Sequence, residues 1–295
     1  MDRVVRVAAI TIGVGIVVLA LKLAAWAMTG SAALFSDALE STVNVAASII
    51  ALAALRMAAL PADKNHPYGH EKAEFFAAVI EGALIIAAAV TILQHAWASY
   101  AAPQPLGQPW SGLALNLAAT ALNGFWGARL LTEGRRFRSV ALIADARHLQ
   151  ADVVSSLVVL AGLVLAVLTG VPWLDPVLAA GVALHVLWSG FTVLRDSVGG
   201  LMDAAPPEDV VARIRAVVAT EAAGALEAHD LLTRQAGRVT YLEFHLVVPG
   251  AMSVADAHAI CDRLEAALKA EIPGLSVTIH VEPEGKAKHH GVIVV

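Results

Sequence analysis

A polar string, Ser36-Asp37-Ala38-Leu39-Glu40-Ser41-Thr42-Val43-Asn44, sits inside a run of apolar residues long enough to cross a membrane. On a helix rising about 1.5 Å per residue, Asp37, Glu40 and Asn44 fall at i, i+3 and i+7 and share one face. Carboxylates at bilayer depth are costly, and they are retained where they face a bundle interior or a water-filled path and serve an ion or a proton. The competing reading makes Asp37 a helix N-cap and puts the other two in the headgroup zone.

Composition settles which environment applies. With 58% hydrophobic and 15% charged residues and a mean hydropathy of +0.70, the chain is too apolar for an ordinary soluble domain. Apolar windows of about 20 residues, the length that spans about 30 Å of hydrocarbon, predict six membrane helices near residues 4–28, 34–57, 73–97, 110–131, 140–168 and 177–194. The first run is too long for a signal-peptide core and lacks a clean cleavage site, so it is expected to be retained. Arg3, Arg6, Arg56, Lys64, Lys72, Arg129, Arg135, Arg136, Arg138, Arg147 and Arg195 fall at the N-terminus, at or beside the even-to-odd connections and at the end of the sixth span, whereas loops 29–33, 99–109 and 169–176 hold no Lys or Arg. By the positive-inside rule both termini are cytoplasmic, in an inner (plasma) membrane. Lys22, a basic residue within the first span, is expected to snorkel.

From Pro206 the pattern becomes that of a soluble domain. Residues 208–220 read as an amphipathic helix, 228–235 and 239–248 as a hairpin turning at Ala236-Gly237, 253–270 as a helix with Ser253 and Asp256 in capping-box relation, and 275–281 as a last strand. The expected fold class is thus a multi-pass α-helical membrane protein of six transmembrane helices plus a C-terminal α+β cytoplasmic domain of αββαβ order. The division is 1–205, 206–285 and a flexible tail 286–295. The net charge is −5, and no basic stripe with interleaved aromatics suggests nucleic acid. A single cysteine, Cys261, excludes an intrachain disulfide framework or a Cys-rich zinc module.

Chemistry-bearing residues recur at three places. On the fifth span His148 and Asp152 stand at i, i+4, one turn apart. With Glu40 and Asn44 they make two facing pairs that can enclose a divalent cation with nitrogen and oxygen donors. In the loop before the third span, Asp63, His66 and His70 lie within eight residues, and Pro67 and Gly69 can bend the backbone so that they converge; a plain solvated loop is the alternative. In the last domain His229, His245, His258, His280 and Glu282 sit at strand ends and on one helix, with His280 and Glu282 on one strand face, a pattern expected of a regulatory metal cluster. His289 and His290 in the tail are given no role.

These features resemble the cation diffusion facilitator family of divalent metal/proton antiporters, over nearly the whole chain. The most specific match is the loop D-x-x-H-x-x-G-H-x-K-x-E running from Asp63 to Glu74. The resemblance implies a transport site of Glu40, Asn44, His148 and Asp152, and places Lys72 and Asp203 as a pair near a homodimer interface. It also implies a metallochaperone-like cytoplasmic domain. The departure is in the second helix, where well-known zinc carriers have Asp or His followed by Asp and this chain has Glu40 and neutral Asn44. The expected function is export of a divalent transition metal, zinc or iron(II) before cobalt, manganese or cadmium, in exchange for protons. The expected partners are metal ions, protons, the lipid membrane and a second copy of the chain, with no cofactor beyond the metal. A membrane-bound metal sensor without transport is the alternative; an intramembrane metallohydrolase is disfavoured because no H-E-x-x-H pair occurs.

Overall fold

The computed structural model describes residues 2–103, 105–137, 140–288 and 292–293. It contains eight α-helices and four strands among these residues, in two compact units. One unit takes the chain up to Ala54 together with Ala77–Arg195, and the other takes Leu55–Phe76 together with the chain from Asp196 onward.

The first unit is built from long helices: α1 (Asp2–Thr29), α2 (Ala32–Ala58), α3 (Ala73–Ala101), α4 (Pro109–Phe137), α5 (Val140–Thr169) and α6 (Leu174–Leu201). Five of them are both long and apolar enough to cross a membrane, and α4 is not among these five. At 29 residues α4 has the length; what it lacks is apolarity, because Asn116, Thr120 and Asn123 recur on its inward face and are buried. Trp126 of α4 donates its Nε1–H to Thr11 Oγ1 of α1 at 3.0 Å, a polar contact between the two helices. Large apolar side chains point outward elsewhere, among them Ile49, Phe76, Leu165 and Trp188, as a lipid-facing surface requires. Close approach of α3 and α6 depends on glycine: a Cβ at Gly190 would lie 2.7 Å from Ile85 Cγ2.

The N-terminus of α2 is held from another helix. Asp175, in the first turn of α6, accepts hydrogen bonds from Ser31 Oγ at 2.5 Å, Ala32 N at 2.7 Å and Ala33 N at 3.2 Å. Asp37 is therefore not the helix cap; it lies a turn inside α2. Lys22 corrects a second expectation. It does not snorkel: its side chain is 2% exposed and its Nζ is 2.8 Å from Asp37 Oδ1.

In the second unit α7 (Glu208–Glu221) and α8 (Val254–Glu271) cover one face of a sheet ordered β3-β2-β1-β4. Strands β1 (Glu227–Ala236) and β2 (Val239–Val248) form the expected hairpin, turning at Gly237 with φ +54°, and β3 (Leu275–Pro283) returns parallel to β2 after α8. Alternation on β2 sends Leu242, Phe244 and Leu246 into the core against Ile214, Val218, Leu264 and Leu268, leaving Tyr241, Glu243 and His245 on the other face. Ser253 caps α8 by accepting from Asp256 N at 3.1 Å. A 3-10 turn, Glu284–Lys286, leads into the stretch expected to be a loose tail, where β4 (Val292–Ile293) pairs with Glu227 and Ala228 of β1. His289 and His290 lie outside the described residues.

Candidate metal centres

Two middle turns of α2 and α5 face each other. Asn44 Nδ2 donates to Asp152 Oδ2 at 2.7 Å, and His148 Nε2 stands 4.0 Å from the other oxygen, Asp152 Oδ1. Asp152 is buried and His148 is half exposed, and Asn44, His148 and Asp152 line a cavity of about 30 Å³ with Thr11, Ser48 and Asn123. Glu40 lies one turn from Asn44 along α2 and is near enough to Asp152 for the two charges to interact, though it is not part of the cavity wall. Because an amide N–H can donate to a carboxylate, Asn44 and Asp152 sit side by side without the like-charge repulsion two acids would meet.

In the loop between α2 and α3, Asp63 Oδ1 accepts from Asn65 N at 2.8 Å and His66 N at 2.7 Å, folding the backbone around the carboxylate. That turn brings His66 Nδ1 to 3.2 Å from Asp63 Oδ1 and His70 Nε2 to 3.5 Å from Asp63 Oδ2. One donor atom from each of the three lies within 4.8 Å of the others, a spacing a divalent ion can bridge. The backbone N–H of His66 first, then that of Asn65 and the His66 ring, holds the Asp63 carboxyl below the usual range. Lys72 and Asp203, paired by resemblance, are 2.9 Å apart within one chain. Asp203 also receives Arg234 at 3.2 Å, and that guanidinium lies over the Tyr241 ring at 4.2 Å.

The candidate ligands of the C-terminal unit converge through strand register. His229 on β1 is opposite His245 on β2, and His245 is level with His280 on β3, so three imidazoles form one cross-strand row with ring centroids 5.3 and 5.0 Å apart. Glu282 is the hub: its oxygens are 3.4 Å from His229 Nε2, 3.3 Å from His245 Nδ1 and 3.8 Å from His280 Nε2. Both ring nitrogens of His229 are buried without a hydrogen bond, which suits a residue whose lone pair is meant for an ion. His258 is not gathered here; it is exposed on α8 beside Asp262 at 3.6 Å. Asp230 is, and was absent from the sequence reading. A bulge between His229 and Leu232, with Asp230 at φ +51°, breaks the two-residue alternation and lets adjacent side chains serve one site. The Lys288 ammonium beside Asp230 holds its carboxyl below the usual range.

A bundle of long apolar helices that keeps ionisable side chains at mid-helix, joined to a small domain with converging imidazoles, defines a membrane protein built to handle cations. The chain belongs to the cation efflux, or cation diffusion facilitator, family. The family model for the cation efflux transmembrane domain matches residues 8–202, and that for the cytoplasmic domain of cation efflux proteins matches 206–284. Among relatives, an uncharacterized transporter of Synechocystis sp., sll1263, is 44% identical over 277 residues, 94% of this chain and 89% of the relative. The cation-efflux pump FieF of Yersinia pestis is 32% identical over 267 residues, 90% of this chain and 88% of its own. A solved structure of the putative zinc transporter CzrB in its zinc form is 52% identical over 29% of this chain and 97% of its own, with a TM-score of 0.26.

Proposed function

We propose that this protein is a secondary transporter that exports a divalent transition-metal ion, zinc or iron(II) first, from the cytoplasm in exchange for protons. The observation that carries the reading is the Asn44–Asp152 contact beside His148, a ligand-type cluster inside the bundle at a cavity wall. Glu40, Asn44, His148 and Asp152 hold the ion. Their ionisable members must be deprotonated to do so, and protonation from the outer side helps release it. Alternating access exposes the cluster to each face in turn. The name of the Yersinia relative, a cation-efflux pump, supports the direction of transport.

Both termini are placed in the cytoplasm of an inner-membrane homodimer, with 1–205 as the transport domain and 206–285 as a regulatory one. Asp63, His66 and His70 bind a second ion. His229, His245, His280 and Glu282 bind regulatory metal, with Asp230 as a further donor, and His258 is at most an outlying ligand. Lys72 and Asp203 brace the dimer. The protein is a carrier and not an enzyme.

Metal uptake into proteoliposomes under an imposed pH gradient tests this with a panel of zinc, iron(II), cobalt, manganese and cadmium. Asp152→Ala leaves the ion under-neutralised in a low dielectric, and its uptake should fall to background while the protein remains folded. Uptake at the wild-type rate would remove α5 from the transport path. A wild-type protein that binds metal and moves none would be a sensor.

A further inference from the structure

Lys22 lies within α1, and its Nζ donates to Asp37 Oδ1 at 2.8 Å and to Ser156 Oγ at 3.0 Å. Ser156 Oγ donates to the same Asp37 oxygen at 2.8 Å, closing a triangle across α1, α2 and α5 in which every member is buried. A buried ion pair is weak evidence for stability, since apolar residues of the same shape commonly serve as well. Its position is what informs. Asp37 precedes Glu40 by three residues and Ser156 follows Asp152 by four, so the triangle sits one turn from the transport cluster on both helices that carry it. None of its members lines the cavity beside Asn44, His148 and Asp152. The charges of Asp37 and Lys22 act on both Glu40 and Asp152, with opposite signs.

We propose that Lys22 is a positioning residue of the transport site: by pairing Asp37 it withholds one carboxylate charge from the bound ion, and so sets how tightly the ion is held and how readily it leaves. The proposal rests on the transport reading above. Because Asn44 is neutral, Glu40 and Asp152 supply two formal charges, which match a divalent cation. An unpaired Asp37 adds a third one turn away, and its Oδ2, buried without a hydrogen-bond partner, is the oxygen free to turn toward the ion. An unpaired Lys22 does the reverse and repels the ion.

The two ends of the pair therefore have opposite effects, which a merely structural role would not produce. The test uses the full chain in proteoliposomes with zinc alone as the probe, and equilibrium zinc titration scored on the class of sites lost in Asp152→Ala. Lys22→Met should lower KM for zinc about tenfold and slow maximal turnover, because the ion is released from an extra charge. Asp37→Asn should raise KM about tenfold with maximal turnover far less affected. The double variant Lys22→Met/Asp37→Asn should return KM toward wild type. Shifts of KM in the same direction in both single variants, or no shift in either, overturn the proposal, as does a double variant no better than the worse single. If Lys22→Met fails to fold, Lys22→Gln decides: it removes the same charge with a side chain that can still hydrogen-bond, so KM should fall several-fold, and an unchanged or raised KM overturns the proposal. A wild-type protein that binds zinc and does not move it would sink the transport reading alone, because the opposed shifts in Kd would still be measurable.

Discussion

Glu282 offers two carboxylate oxygens to three imidazoles of the C-terminal cluster. Replacing it by Gln keeps the shape and removes the charge that offsets a divalent ion among neutral rings. Glu282→Gln should weaken cytoplasmic metal binding about tenfold or more, as loss of a carboxylate beside a metal site does, whereas His258→Ala should leave it nearly unchanged. Isothermal titration of both full-length variants checks this; equal losses would place His258 among the ligands after all. Asn44 shows the same logic in the membrane: an acid at that position would face Asp152 across 2.7 Å as a like charge, which the amide avoids by donating.

At the scale of the element, α2 is the helix on which position matters most, and its start is set by α6. Three hydrogen bonds converge on Asp175, two of them from backbone N–H groups that α2 itself leaves unpaired, and its negative charge sits at the positive end of the helix dipole. Asp175→Ala should cost about 1–2 kcal/mol, the range for loss of a helix N-cap, and lower the melting temperature in detergent, with Asp175→Asn losing less. A melting temperature unchanged in the Ala variant would mean that lipid-facing packing alone fixes α2. On the sheet, the bulge in β1 has comparable leverage: one extra residue turns a strand that would present every second side chain into one that presents His229 and Asp230 together.

Across the second unit, Asp203 joins Lys72 near the start of α3 to Arg234 on β1. The Lys72 hydrogen bond first, then Arg234, holds the Asp203 carboxyl below its usual range. A depressed folded-state value means that the contribution is fully present above the unfolded value of about 3.9 and is lost only as pH falls through the lower folded value. Hydrogen exchange around Tyr68 and Tyr241 should thus be flat from about pH 5 to 8 once corrected for intrinsic rate, and Asp203→Ala should speed it at neutral pH by leaving two cations side by side. Because the pair is half exposed, the gain should be small, and a large collapse would point to some other role for Asp203.

The sequence by itself determined the class, the helices and the order of the cytoplasmic elements, because each depends on local periodicity: long apolar runs, alternation on β2, a cap at Ser253. It also determined that Asp63, His66 and His70 could converge, since a short loop with Pro67 and Gly69 has few other ways to fold, and that His148 and Asp152 share a face. It could not reveal that Lys22 pairs with Asp37 across 15 residues, that Asp175 caps a helix 144 residues before it, or that Asp230 joins His229 and His245. Those contacts depend on which helix lies beside which and on where a strand gains a bulge. A lysine in an apolar run reads the same whether its ammonium reaches the headgroups or a carboxylate on the next helix; only the packed bundle, which leaves both side chains 2% exposed, decides that the two must meet.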